Sequence, residues 1–78
     1  MDYNQRATEF AVFCIENTAI RLNKSGKEVF TALKQVDGIR NFLYPSFEML
    51  HTQSKEYIVD EVLAYLNEKN PRFLGGKI

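Results

Sequence analysis

The stretch that begins at Ser54 and runs through Lys55 and Glu56 to Leu66 constrains this chain more than any other, because it sets a helix's start, direction and buried face together. Ser54 can offer a side-chain oxygen to the free amides of a first turn, and Glu56 lies in that turn, where the helix dipole favours negative charge. At about 100° per residue, Ile58, Val59, Val62, Leu63, Tyr65 and Leu66 cover an arc of roughly 160°. Glu56, Asp60, Glu61, Asn67 and Glu68 hold the remaining circumference, together with Tyr57 and Ala64. The helix is expected to stop near Asn70, since Pro71 follows and the residue before a proline is pushed out of helical geometry.

Two further helices are expected before it. Residues 4–22 place Ala7, Phe10, Ala11, Val12, Cys14, Ile15, Ala19 and Leu22 on one broad arc, with Glu9 and Glu16 opposite. Phe13 and Ile20, seven residues apart, fall off that arc. After the break at Asn23-Lys24-Ser25-Gly26, Ser25 and Glu28 have the spacing of a capping box, which starts a helix from Gly26 to Val36 over Val29, Phe30, Leu33 and Val36. Gly38 is expected to supply the left-handed residue that ends it. Ile39, Phe42 and Leu43 suggest one or two helical turns, broken at Tyr44 by Pro45. Pro45, Phe47, Met49 and Leu50 then suggest another short turn ending near His51.

No segment shows sustained period-two alternation, so no sheet is expected. The fold class is all-α: a small bundle of three main helices plus one or two short ones over residues 1–70, with a C-terminal tail over 71–78. The expected core is Phe10, Cys14, Val29, Phe30, Leu33, Phe42, Leu50, Ile58, Val62 and Leu66. At 78 residues this is one domain, burying roughly 60% of its extended-chain surface, which leaves little room for a deep cleft.

Composition narrows the function classes. No apolar run approaches the ~20 residues a membrane span requires, and the first residues lack a basic stretch leading to a small-residue cleavage site. Cys14 is the single cysteine, so no internal disulfide can form, which fits a reducing cytoplasm. His51 is the single histidine, a poor basis for zinc. Neither metal nor cofactor is expected. Ten basic and ten acidic side chains balance overall but not locally. Residues 21–40 hold five basic and two acidic groups, residues 48–68 one basic and five acidic, and the tail adds Lys69, Arg72 and Lys77.

The densest polar cluster is His51-Thr52-Gln53-Ser54. It could present His51 as a general base or anion-recognition group at a helix start. A turn whose side chains bond across it, with Ser54 as cap, is the favoured reading. Cys14 on an apolar arc reads as a core residue rather than a nucleophile. Asp60 and Glu61 project about 100° apart and do not converge, and Gly75-Gly76 is a lone doublet, not a phosphate loop. No enzyme is expected. The first three helical segments could mimic a helix-turn-helix, but its reading segment would offer only Arg40 and Asn41, thin for base contacts plus phosphate anchoring. What remains is apolar excess: Phe13, Ile20, Tyr57, Ala64, Phe73, Leu74 and Ile78. Either the tail folds back to cover the first helix, or part of this surface meets another protein. The expected partner interface is Phe13 with Ile20, or the acidic face of Tyr57, Asp60 and Glu61.

Three stretches together carry a resemblance: Phe13-Cys14-Ile15-Glu16-Asn17, Ser25-Gly26-Lys27-Glu28-Val29 and Leu50-His51-Thr52-Gln53-Ser54-Lys55-Glu56-Tyr57-Ile58-Val59. Over about residues 7–66 the chain resembles a family of short bacterial proteins, common in anaerobic Firmicutes, known as a domain of unknown function. Leu-His-Thr-Gln-Ser is its most specific piece. Members are often encoded beside an ADP-ribosyltransferase-like protein, which implies a toxin–antitoxin pair or a similar two-protein module. The family has no established catalytic residues to carry over. The leading expectation is a non-enzymatic protein-binding module, an antitoxin-like regulator of a neighbouring enzyme. A small DNA-binding regulator and a homo-oligomeric structural protein are the alternatives.

Overall fold

Two serine caps organise the chain in the computed structural model, which describes residues 3–75. Helix α1 spans Tyr3–Leu22, α2 Gly26–Gln35, α3 Tyr44–Leu50 and α4 Lys55–Lys69. A π-helical turn, Ile39–Leu43, runs directly into α3, and a 3-10 turn, Pro71–Leu74, follows α4. The fold is an all-α bundle with no strand among the described residues. Ser25 and Glu28 form the reciprocal box: the Glu28 amide donates to Ser25 Oγ at 3.1 Å, and the Ser25 amide donates to Glu28 Oε1 at 2.8 Å. Ser54 Oγ accepts from the Tyr57 amide at 3.1 Å. Each bond satisfies an amide that the first turn of a helix leaves free.

The link from α2 to α3 departs from expectation twice. Asp37, not Gly38, takes the left-handed conformation (φ 58°), while Gly38 is ordinary right-handed helix (φ −74°, ψ −24°). Gly38 is instead required by a close approach: a Cβ there would lie 2.8 Å from Tyr65 Cε2. Nor does Pro45 break the chain at Tyr44, which stays helical (φ −65°, ψ −47°). Pro45 lacks an amide and crowds the carbonyl four residues back. The widened turn absorbs both problems, with the Tyr44 amide reaching back five residues to the Ile39 carbonyl. At the end of α1 Asn23 (φ 56°) makes the left-handed cap; its amide donates to Ile20, and the Lys24 amide to Ala19.

Helix α1 is the centre of the bundle and packs against α2, α3 and α4. Its core face is mostly small: Ala7, Ala11, Cys14, Thr18 and Ala19, with Phe10 the large exception. Small side chains let three neighbours approach one helix closely. They contribute Val29, Ala32 and Leu33 from α2, Leu43, Phe47 and Leu50 from the π turn and α3, and Ile58, Val62 and Leu66 from α4. Phe42 is half-buried, its ring stacked on Tyr65 at 4.5 Å. Phe30, expected in the core, is 42% exposed. Ala32 takes its place, because the α2 stripe of Val29, Ala32 and Leu33 leaves Phe30 at its edge. Val12, placed on the buried arc of α1, is likewise exposed, and so is Met49.

The 3-10 turn settles where part of the tail goes. Phe73 and Leu74 pack against the core, Phe73 beside Ala32 and under the Lys24 ammonium at 5.3 Å. Asn70 Nδ2 donates to the Ala32 carbonyl at 3.0 Å and to Gln35 Oε1 at 3.2 Å, tying the end of α4 to α2. The tail turn therefore covers α2 rather than the outer side of α1. Ile78, counted with the apolar excess, lies outside the described residues.

Candidate interaction surface

Because three helices pack on one side of α1, its other side faces outward along the whole helix. Phe13 and Ile20 sit on that outer line, opposite the centre of the buried arc, with Glu9 and Glu16 beside them. Ile20 is 75% exposed and Phe13 38%. The Asn17 side chain donates to the Phe13 carbonyl at 2.9 Å, an arrangement internal to the helix surface.

A groove runs along each flank of α1. Towards α4 it is lined by Asn17, Ile20, Arg21, Lys55, Glu56 and Val59, with Val59 as its buried floor. Arg21 Nη1 bridges the two helices by donating to Asp60 Oδ1 at 3.0 Å. Beside Asp60 the exposed face of α4 continues with Tyr57 and Ala64, while Glu61 is half-buried. Towards α2 the groove is lined by Val12, Ile15, Glu16, Gly26, Lys27 and Phe30. Of the two alternatives drawn from sequence, the Phe13–Ile20 line meets the Tyr57–Asp60–Glu61 face at Asp60, through the Arg21–Asp60 pair, while Glu61 lies about 140° round α4 from the groove residue Glu56. Sequence reasoning missed Val12 and Phe30 as members of this surface. The signal was present in Phe30's place off the Val29–Leu33 stripe.

Seven large apolar side chains are exposed among the described residues: Tyr3, Val12, Phe13, Ile20, Phe30, Met49 and Tyr57. Four of them, Val12, Phe13, Ile20 and Phe30, lie on the outer side of α1 or across a groove beside it. Among the described residues Glu9, Glu16, Glu56 and Glu61 have no cationic partner, in contrast to Asp60.

The other sequence candidates do not converge with this surface or with each other. His51, Thr52, Gln53 and Ser54 are all exposed. The expected side-chain bonds across that turn are absent among the described residues, except for the Ser54 cap. Main-chain groups close the turn instead, the His51 amide donating to Phe47 and the Gln53 amide to Leu50. The His51 ring lies flat on Phe47 at 4.6 Å. Cys14 is sealed in the core, where burial pushes its thiol up to about 12, so at neutral pH it stays protonated. Among the described residues no group of three or more His, Cys, Asp or Glu side chains is arranged to hold a metal ion, and no helix is long and apolar enough to cross a membrane. Arg40 pairs loosely with Asp37 at 3.6 Å, on the π turn rather than on a free-standing reading helix.

The fold and this surface define a small all-α domain with Val12, Phe13, Ile20 and Phe30 exposed on the outer side of one helix and across a groove beside it. The chain belongs to the family described as a protein of unknown function (DUF3791), whose model matches residues 9–69. Comparison with curated proteins and with solved structures finds no match.

Proposed function

We propose that this domain is a protein-binding module whose contact surface is the outer side of α1 with its two flanking grooves. One observation carries the reading: four of the seven large apolar side chains exposed among the described residues, Val12, Phe13, Ile20 and Phe30, lie on the outer side of α1 or across a groove beside it. Isolated surface apolar groups are ordinary, but a contiguous set rimmed by charge marks an association site. Carboxylates that lack cations inside the molecule would set the orientation of the partner. The resemblance supplies the specific form of the proposal: a regulator that binds, and holds in check, an ADP-ribosyltransferase-like protein encoded beside it.

The test is co-expression with the product of the adjacent gene, followed by size-exclusion chromatography. Co-elution, lost on replacing Ile20 by Glu, supports the reading. Two folded proteins eluting separately overturn it.

A further inference from the structure

The groove between α1 and α2 has one acidic wall and one basic wall, and the two run in step. Glu9 and Glu16, seven residues apart, lie within about 20° of each other round α1, on the side of its outer crest that borders this groove. Lys27 and Lys34, also seven residues apart, lie within about 20° of each other round α2, and all four side chains are exposed. The Lys34 ammonium stands 5.9 Å over the ring of Phe30, a groove residue, which puts it on the same wall as Lys27. Helix α2 doubles back along α1 after a short link, and a Cβ on Gly26 would lie 3.9 Å from the Ile15 side chain. Counting along the two helices in opposite directions from that contact brings Lys27 roughly level with Glu16 and Lys34 roughly level with Glu9. Val12, Ile15 and Phe30 lie between the walls. Among the described residues none of the four charges is in an ion pair.

A partner carrying one sign of charge is repelled by one wall of this groove whichever way it lies. A second copy of the chain already carries both signs at the matching spacing, about 10 Å along a helix. A two-fold axis running along the groove lays α1 of each copy over α2 of the other. Glu9 and Glu16 of one copy then face Lys34 and Lys27 of the other, and Val12 of each meets Phe30 of the other. A two-fold axis across the groove would set acid on acid and base on base, so the charges select the first arrangement. Ten basic and ten acidic side chains cancel, so no net charge holds two copies apart. We infer that this groove takes a second copy of the chain, forming a symmetric dimer in which four acid–base pairs surround an apolar centre. The dimer leaves the groove towards α4, which Ile20 lines, open to the partner protein proposed above.

Sedimentation equilibrium of the full chain over a wide range of concentration tests this, with circular dichroism confirming that each variant is folded. The parent chain is expected to dimerise, and to do so more weakly as salt is added. E9K/E16K makes both walls basic, and K27E/K34E makes both acidic. Each variant turns four attractive pairs into four repulsive ones and should raise the dissociation constant about tenfold or more. Mixing the two variants should restore a dimer with one copy of each, because every wall again meets its opposite. Ile20→Glu should leave the dimer intact. A chain that stays monomeric at every concentration overturns the inference, and so do reversed variants that dimerise as well as the parent or fail to pair when mixed. Co-elution with the adjacent gene's product, lost with E9K/E16K from a monomeric parent, would give this groove to the partner protein instead. The binding reading is answered apart from the dimer, by whether Ile20→Glu abolishes that co-elution.

Discussion

Replacing Gly38 by Ala sets two opposing effects against each other at a site where both can be sized. Gly38 has ordinary helical dihedrals (φ −74°, ψ −24°), so alanine meets no backbone penalty and gains about 0.4–1 kcal/mol by restricting the unfolded chain. Against that, the new Cβ would stand 2.8 Å from Tyr65 Cε2, 3.0 Å from Leu33 Cδ2 and 3.4 Å from the Leu33 carbonyl oxygen. Tyr65 has little freedom to retreat. Its ring is stacked on Phe42 at 4.5 Å with planes 12° apart, and its hydroxyl donates to the Val36 carbonyl at 3.4 Å. Leu33 is fully buried. Overpacking of this kind costs about 1–3 kcal/mol, so crowding wins and the variant should be less stable by about 1 kcal/mol, or about 4–8 °C in Tm for a domain of this size. Urea unfolding followed by far-UV circular dichroism measures it. A double-mutant cycle then separates the two effects. In a Tyr65→Leu background, without the ring edge, the same substitution should cost clearly less, with only the Leu33 contacts left to crowd it. A neutral or stabilising G38A in the parent, or an equal cost in both backgrounds, would refute the account of why glycine stands here.

Four further outcomes are expected. Glu28 is held below its ordinary value of 4.5 chiefly because its carboxylate accepts the Ser25 amide. Its contribution is therefore complete above the ordinary value and is lost as pH falls through the depressed one. Glu28→Gln, which keeps an acceptor for the Ser25 amide, should flatten that acid limb, and parallel stability–pH curves for the two proteins would contradict this. Cys14 has the opposite sign. Its thiol rises from 9.0 to about 12 on burial, so the associated stability is intact below about pH 9 and declines as pH climbs towards the folded value. A disulfide reagent at neutral pH should label Cys14 only at the rate of unfolding, and rapid labelling of the native protein would disprove its burial. Thr18 is fully buried and its Oγ1 has no hydrogen-bond partner among the described residues. Thr18→Val should raise stability by about 1 kcal/mol in thermal unfolding, and a loss would show the hydroxyl to be bonded in solution. Ile20→Glu, at a side chain 75% exposed, should change stability by less than about 0.5 kcal/mol in the same assay; a larger drop would make Ile20 a structural residue.

What could be read from the sequence was local. Serine caps with acidic first turns, the period of α4 and the stop before Pro71 all depend on neighbours within a turn or two, and the structure has them at Ser25, Ser54 and Asn70. The α2–α3 link was not legible, because its geometry is decided at long range. Gly38 answers to Tyr65, a residue 27 positions away, and Asp37 takes the left-handed conformation that a local rule assigns to glycine. Pro45 was read as a break because local rules omit the widened turn that accommodates it. The proposed surface was half legible. Phe13 and Ile20 stand out by periodicity alone, whereas their adjacency to Asp60 depends on how α4 packs against α1, which only the Arg21 contact reveals.

That adjacency separates folding from binding. The groups that hold α1 in place are small: Ala7, Ala11, Cys14 and Ala19, together with Phe10, all turned inward. Ile20, on its outer side, contributes little to the core, since it is 75% exposed. A substitution on the outer line therefore removes little burial, and one on the inner line removes a great deal. If Ile20 served only solubility or chance, replacing it by charge would leave every property unchanged. If it anchors a partner, the same change leaves the unfolding curve in place while abolishing co-elution. A protein whose stability and association failed together would instead show that α1 depends on its outer face to fold.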